Sequence, residues 1–137
     1  MKYWLVKSEP SAYSWEQFVK DGVAVWDGVR NHTAKQNMKM MSLGEEVLFY
    51  HSNEGKAIVG IAKVVTECYP DPMTPGEPWV LVDIMPSYAL NRPVTLAEIK
   101  ADETLAQMEL VRQSRLSVCP VSAGEFERIT QLSLVNS

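Results

Sequence analysis

Short apolar runs separated by turn-forming residues divide the chain into strands. Residues 46–52 and 57–68 are both apolar-rich, and the Asn-Glu-Gly-Lys sequence at 53–56 between them predicts a hairpin turn. Gly60, inside the longer run, predicts a bend or the close approach of another group to the backbone. Further strands are predicted at residues 3–6, 23–26, 79–85 and 115–119, and the four prolines of residues 69–78 predict a loop.

Polar residues with the spacing of helix caps mark the starts of several short helices. Ser14 with Gln17 predicts a helix over residues 15–20, and Asn31 is placed to cap a helix that reaches about Met41. The same capping signal recurs twice, at Thr95 with Glu98 and at Ser122 with Glu125. Since these helices are too few and too short for a doubly wound parallel sheet, we predict an α+β fold: a small mixed β-barrel or half-barrel of five or six strands, with short helices around it.

The size and composition indicate one domain spanning residues 1–137. Cys68 and Cys119 lack the spacing of a disulfide framework or a zinc site, so a reducing, cytoplasmic location is expected. The apolar run at the N-terminus is too short for a signal peptide or a membrane span, and we expect no membrane association.

The charge distribution bears on the class of partner. A net charge of −4 and a pI of about 5.2 weigh against sequence-independent binding to a phosphate backbone. Between Gly28 and Gly44, however, there is no acid, and Arg30, Lys35 and Lys39 all lie there. This segment is either a local surface that meets phosphates or a solvated helix face.

The hexapeptide Trp26-Asp27-Gly28-Val29-Arg30-Asn31 is the strongest candidate for chemistry. An aromatic ring stacks on flat ligands, and a neighbouring amide offers donors and an acceptor that suit the edge of a base. Gly28 permits a sharp turn. Two alternatives stay open, because Asn31 also suits a helix cap and Arg30 also suits an ion pair with Asp27.

Two shorter polar segments, residues 7–10 and 50–53, have the same character. Ser8 is suited either to donate to a ligand or to sit in a turn, and His51, on the face of Phe49, is either structural or an acid–base group. Asp83 interrupts an apolar strand. There it would either accept a hydrogen bond from the edge of a base or form an ion pair with a cation such as Arg115.

Several catalytic signatures are missing from the sequence. There is no phosphate-binding loop of the GxxxxGK[ST] type, no GxGxxG and no zinc-deaminase motif. We therefore expect no cofactor, no metal and no enzymatic activity. From the residues alone, the preferred hypothesis is a binder of planar ligands, most plausibly bases, and the less favoured one is an enzyme that uses His51 and Asp83 as an acid–base pair.

Taken together, these segments resemble the EVE domain family, a PUA-like group, over nearly the whole chain. The resemblance is carried by Tyr3-Trp4-Leu5, residues 7–10, 26–31, 43–46, 49–52 and 67–71, and Arg115-Leu116-Ser117-Val118. It implies a small PUA-like β-barrel that holds a modified base in an aromatic pocket, with 5-methylcytosine and its hydroxymethyl form as the leading candidates. The connection between Tyr69 and Trp79 is shorter than in thymocyte-type members, so contacts from that loop are not carried over.

The resemblance and the residue pattern together assign two groups of positions. The predicted base pocket comprises Ser8, Trp26, Asn31, Tyr50, His51, Ser52 and Asp83. The predicted phosphate contacts are Arg30, Lys35, Lys39 and Arg115. With the resemblance included, the expected function is a reader of a modified base in DNA, and the expected partner is a nucleic acid that carries such a base. The alternatives are a reader of modified RNA such as tRNA and, last, an enzyme acting on a base or nucleotide.

Overall fold

A computed structural model describes residues 1–135 and contains six strands and five short helices. The strands are β1 (Tyr3–Ser8), β2 (Ala24–Trp26), β3 (Glu46–His51), β4 (Ala57–Pro70), β5 (Val80–Thr95) and β6 (Val118–Val121). The helices are α1 (Trp15–Asp21), α2 (His32–Met40), α3 (Leu96–Ala101), α4 (Glu109–Arg112) and α5 (Ala123–Leu134). None of these helices has the length and apolar character needed to cross a membrane.

The strands form one mixed sheet in the order β2-β5-β4-β3-β1-β6. β1 and β3 run parallel, and the other neighbours run antiparallel. The predicted α+β class, with six mixed strands and short helices, is confirmed. The sheet takes the half-barrel form, because β2 and β6 stand at its two edges and do not pair with each other within residues 1–135.

The β4–β5 ladder is the longest in the sheet, and it extends further than the sequence predicted. β5 covers Val80–Thr95 rather than 79–85, and it contains two prolines. The ladder tolerates them because its register shifts several times, and Pro86 pairs with Ala62 beside one such shift. β6 begins at Val118, later than the predicted 115–119 strand, and α4 was not predicted at all.

The predicted helix caps are all present. The Ser14 side chain accepts from the Gln17 amide, and that of Asn31 accepts from the Ala34 amide at 2.9 Å. Both later capping boxes are reciprocal, since the glutamate three residues on also accepts from the amide of the cap residue; the pairs are Thr95 with Glu98 and Ser122 with Glu125.

Aromatic side chains dominate one part of the core, with Phe49 at their centre. Phe49 is fully buried, stacks on Phe18 at 5.2 Å, and forms T-shaped pairs with Trp15 and Trp26 at 5.4 and 5.8 Å between ring centroids. Gly60 lies directly against the Trp15 indole, as the sequence predicted for a close approach. This packing fixes α1 and β2 against the centre of the sheet.

A buried carboxylate ties the beginning of the chain to the turn before β3. Glu45 is 7% exposed. Its Oε1 accepts from Trp4 Nε1 at 2.9 Å and from the Ser42 amide at 2.8 Å, and its Oε2 accepts from the Lys2 amide at 2.9 Å. Burial alone would raise the pKa of Glu45, but these hydrogen bonds outweigh it and hold the pKa below its ordinary 4.5.

Candidate functional site

A cleft of about 600 Å³ opens where the half-barrel fails to close, and we call it the seam cleft. Its walls come from the end of β1, the turn before α1, strand β2 and the segment after it, with one residue from the approach to β6. The lining residues are Lys7, Ser8, Glu9, Ala12, Tyr13, Asp21, Val23, Ala24, Val25, Trp26, Asp27, Gly28, Val29, Arg30 and Ser117. The volume lies within the usual range for sites that enclose small ligands.

Trp26 forms the aromatic wall of the seam cleft. It ends β2, pairs in register with Val82, and its ring meets the Phe49 ring nearly perpendicular, at 80°. Tyr13 meets it at 6.4 Å between centroids, nearly perpendicular at 70°. Because Trp26 is only partly buried and its supports belong to the core, the ring is both accessible and rigidly held.

Tyr13 is held by hydrogen bonds at both its backbone and its ring. The Ser8 hydroxyl donates to the Tyr13 carbonyl at 2.6 Å, and the Tyr13 hydroxyl donates to Asp21 Oδ2 at 2.9 Å. Burial, followed by the hydrogen bond and the charge of Asp21, raises the pKa of Tyr13 to about 12. Ser8 lines the cleft, but its hydroxyl proton is already donated to Tyr13. Its oxygen can therefore only accept a hydrogen bond from a ligand.

The hexapeptide turns at Gly28, whose φ of 73° suits a residue without a Cβ. Beyond the turn, Arg30 does not pair with Asp27. It reaches Asp71 at 3.5 Å, and its guanidinium carbon lies 5.4 Å from the Trp79 ring centroid. Asp71 itself is buried. The cationic group at the cleft rim is thus partly neutralised by the 71–79 loop.

Asn31 and Arg115 line a different, neighbouring groove of about 290 Å³. Asn31 caps α2 there, and Thr33, Arg112 and Ser114 share the lining. The Asn31 amide oxygen is occupied by the Ala34 amide, which leaves its NH2 group free to donate. The structure therefore places Asn31 beside the arginines, next to the seam cleft and outside its lining.

The remaining predicted phosphate contacts differ in their accessibility. Lys39 is exposed on α2, whereas Lys35 is only 8% exposed. Lys35 Nζ lies 3.1 Å from His32 Nδ1 and 6.0 Å from the Trp79 ring centroid. Because Lys35 is buried against Trp79, its ammonium group is poorly placed to contact a phosphate directly. The charge of Lys35 instead adds to the positive potential of the nearby surface.

The third polar segment supports the seam cleft from behind and does not line it. Tyr50 is 4% exposed in the core, and the Ser52 amide donates to the Ser8 carbonyl at 2.9 Å. His51 stands opposite Ser8 in the parallel ladder, and its Nε2 accepts from the Trp15 amide at 3.0 Å. The fold brings the three segments together, but these side chains hold β1 and α1 in place.

His51 is expected to make the stability of the fold sensitive to acid. Burial lowers its pKa from 6.5, and the charge of Glu16 opposes this only in part. Because the folded-state pKa is depressed, the stability is fully present above about pH 6.5 and is lost as the pH falls toward the folded-state value. His51→Ala should lower the free energy of unfolding at neutral pH by about 1 kcal/mol and flatten its decline toward pH 5, as measured by urea denaturation.

His51→Gln is the matched variant, since its amide oxygen is a neutral acceptor for the Trp15 amide. It should keep more of the neutral-pH stability than His51→Ala while showing the same flattened decline. An unchanged pH dependence in both variants would mean that His51 does not couple folding to protonation.

Asp83 lies on the opposite face of the sheet from Trp26. In the β2–β5 ladder Asp83 pairs with Val25, and the adjacent pair is Trp26 with Val82. Since successive residues of a strand point to opposite faces, the Asp83 side chain points away from the face of Trp26, and Asp83 is not among the residues that line the seam cleft. Its carboxylate accepts from the Tyr69 hydroxyl at 2.6 Å, so Tyr69, and not Arg115, is its partner.

This placement also separates His51 from Asp83. His51 lies on the face of Phe49, whose ring centroid is 5.8 Å away, and Phe49 contacts Trp26. Asp83 is on the other face, so the two residues do not form an acid–base pair. Among residues 1–135, no group of three or more His, Cys, Asp or Glu side chains has the geometry to hold a metal ion.

Sequence reasoning missed several residues of the seam cleft. Tyr13 and Asp27 line it, as do Lys7 and Ser117. Lys7 Nζ donates to the Ser114 carbonyl at 2.8 Å, and burial lowers its pKa although Cys119 partly opposes this. For Asp27 a signal existed, because it follows Trp26 directly; Tyr13 and Ser117 carry no local signal.

Comparison with known proteins gives a consistent result over the whole chain. The model of the EVE domain matches residues 2–132. Human thymocyte nuclear protein 1 is 32% identical over 169 aligned positions, which cover 95% of this chain and 73% of the relative. Because 169 positions exceed the 137 residues of this chain, the human protein carries insertions relative to it.

Solved structures agree with this at the level of the fold. A protein of Rhodopseudomonas palustris, solved by NMR, is 48% identical with a TM-score of 0.93, and the match covers 99% of this chain and 97% of that one. The human THYN1 protein in complex with 5-methylcytosine containing DNA is 30% identical with a TM-score of 0.93, covering 100% of both chains. An ASCH protein of Zymomonas mobilis shares the fold alone, at 14% identity and a TM-score of 0.60.

Proposed function

The chain belongs to the EVE domain family, and we propose on that premise that it is a non-enzymatic module that holds a modified cytosine of DNA in the seam cleft. The observation that carries the proposal is Trp26, a rigidly backed and accessible aromatic wall inside a cleft of about 600 Å³. The complex of human THYN1 with 5-methylcytosine containing DNA supports DNA as the partner and 5-methylcytosine as the modification.

In this proposal, the base leaves its stack and enters the cleft against Trp26. Extrusion costs a few kcal/mol, and stacking on an aromatic face returns about 1–3 kcal/mol. Lys7 and Arg30 line the same cleft, and Arg112 and Arg115 line the neighbouring groove. These cations are suited to the phosphates on either side of the extruded nucleotide, with Lys39 further along α2.

The charge of the protein is consistent with this mode of binding. With a net charge of −4, a long track of phosphates would be repelled, while a few rim cations can hold one extruded nucleotide. The acidic residues Glu9, Asp21 and Asp27 line the cleft beside Trp26. Phosphate is disfavoured there, so the nucleotide enters with its base first.

The test is isothermal titration with DNA duplexes that are identical except for one 5-methylcytosine or one cytosine. We expect the methylated duplex to bind about 4-fold more tightly, the effect of burying one methyl group. Trp26→Ala should weaken binding to it by about 5- to 150-fold through the loss of stacking, and Trp26→Phe should retain most of the affinity.

Tyr88→Ala is the matched control, because Tyr88 is an aromatic residue on β5 that is 52% exposed and outside the cleft lining. It should bind as the unsubstituted chain does. Equal affinity for both duplexes, or unchanged affinity in Trp26→Ala, would overturn the proposal. Tighter binding of a matched RNA than of the DNA would make RNA the partner, since a contact to the 2′-hydroxyl discriminates the two.

A further inference from the structure

We infer that Asp27 selects the class of base that enters the seam cleft, by accepting a hydrogen bond from an exocyclic amine. The cleft would then admit cytosine bases, all of which carry an amine at ring position 4. It would reject thymine, which carries an oxygen at that position. This inference rests on the proposed function and assigns its specificity to a residue outside the aromatic wall.

Three carboxylates line the cleft, those of Glu9, Asp21 and Asp27. Asp21 has both oxygens occupied, since Oδ2 accepts from the Tyr13 hydroxyl and Oδ1 from Gln17 Nε2, each at 2.9 Å. Asp27 makes no side-chain hydrogen bond or ion pair with any other residue in the described range 1–135. The nearest cation in sequence, Arg30, is directed to Asp71 instead. Asp27 therefore brings an uncommitted acceptor to the cleft.

Glu9 is the other uncommitted carboxylate, and the geometry favours Asp27 over it. Asp27 is joined directly to Trp26, and the turn at Gly28, with φ of 73°, follows at once. The acceptor and the stacking surface are thus neighbours in the chain, and both line the cleft. Asp27 also has the shorter side chain, so fixing it against a ligand costs less conformational entropy than fixing Glu9.

The chemistry of the two bases makes the distinction testable. A carboxylate only accepts hydrogen bonds, and the amine at position 4 of cytosine donates them. Thymine has the same methyl group as 5-methylcytosine but presents an acceptor oxygen at that position. Asp27 and this oxygen would repel each other, whereas an asparagine can turn its NH2 group toward it.

The experiment compares two DNA probes that carry either 5-methylcytosine or thymine opposite an abasic site. The abasic partner removes the difference in pairing energy, so that only the fit to the cleft is measured. The unsubstituted chain should bind the 5-methylcytosine probe about 10-fold more tightly or better, as expected for a hydrogen bond to a charged group. In Asp27→Asn this ratio should fall to within about 3-fold, chiefly through tighter binding of thymine.

Glu9→Gln is the charge-matched comparison, because it removes the same charge from the same cleft. Any effect of charge alone appears in both variants, but the ratio of the two probes should change only in Asp27→Asn. If Glu9→Gln also brings the two affinities to within about 3-fold, or if Asp27→Asn leaves their ratio unchanged, the assignment to Asp27 is overturned. In that case, binding that is still weakened by Trp26→Ala would leave the proposed base pocket standing. Absence of binding to both probes overturns the base pocket and this inference together.

Discussion

Replacing Glu45 with alanine is expected to lower the free energy of unfolding by about 3 kcal/mol. The carboxylate is buried and accepts three hydrogen bonds, from the Trp4 indole and from the Ser42 and Lys2 amides. Removing it strands the buried Trp4 Nε1 donor and frees both the N-terminus of β1 and the turn before β3. Urea denaturation at neutral pH measures the loss.

Glu45→Gln separates the charge of this residue from its shape. The glutamine oxygen can still serve Trp4 and Ser42, but its NH2 group faces the Lys2 amide donor, so we expect a loss of about 1.5 kcal/mol. Because the folded-state pKa of Glu45 lies below 4.5, its stabilising effect is present above that value and is lost as the pH falls through the folded-state pKa. Glu45→Gln should therefore show a shallower acid transition.

Glu46 provides the control for both variants, since it is the next residue along β3 and makes no side-chain hydrogen bond within residues 1–135. Glu46→Ala should change the free energy of unfolding by less than about 0.5 kcal/mol. Comparable losses at positions 45 and 46 would show that the hydrogen bonds to Glu45 contribute no specific stability.

Gly60→Ala is expected to destabilise the fold by about 3 kcal/mol, the upper end of the range for overpacking a core. A Cβ at position 60 would lie 2.5 Å from two atoms of the Trp15 ring, well inside van der Waals contact. The ring has little room to move, because the edges of Phe18 and Phe49 lie at 5.5 and 5.4 Å between centroids. The cost is therefore steric and is unrelated to backbone φ.

Two further variants isolate this clash. Gly124 lies in α5 with open space around its Cβ position, so Gly124→Ala should stabilise the protein by up to about 1 kcal/mol. In the double variant Trp15→Leu with Gly60→Ala, the smaller side chain makes room for the methyl group. The cost of Gly60→Ala should then shrink relative to that in the presence of Trp15, which a double-mutant cycle measures. An equal cost in both backgrounds would exclude the Trp15 clash as its cause.

Features that depend on neighbouring residues were predictable from the sequence. The caps at Ser14, Asn31, Thr95 and Ser122 each involve a partner three residues away. Gly60 also carried a local signal, because a glycine inside a strand indicates a bend or a close contact. Such features follow from backbone geometry, and the family resemblance placed them in a single PUA-like sheet.

Features that depend on distant partners were not predictable. Pairing of Asp83 with Arg115 and pairing of Arg30 with Asp27 were the open alternatives to ligand contact. The structure instead pairs Asp83 with Tyr69 and Arg30 with Asp71, the latter 41 residues away. Strand alternation predicts which residues share a face within one strand, but not which face meets a neighbouring element. The β2–β5 register supplies that information and places Asp83 on the side of the sheet away from Trp26.

The seam cleft has a consequence for how binding preference can be moved between proteins. Apart from Ser117, every residue that lines it falls between Lys7 and Arg30. That stretch joins the sheet through β1 and β2, which pair with β3, β6 and β5. If the base binds in this cleft as proposed, the residues that contact it are encoded almost entirely in one contiguous segment, residues 7–30. Exchanging this segment between two relatives of the same fold should then transfer the base preference in a single step.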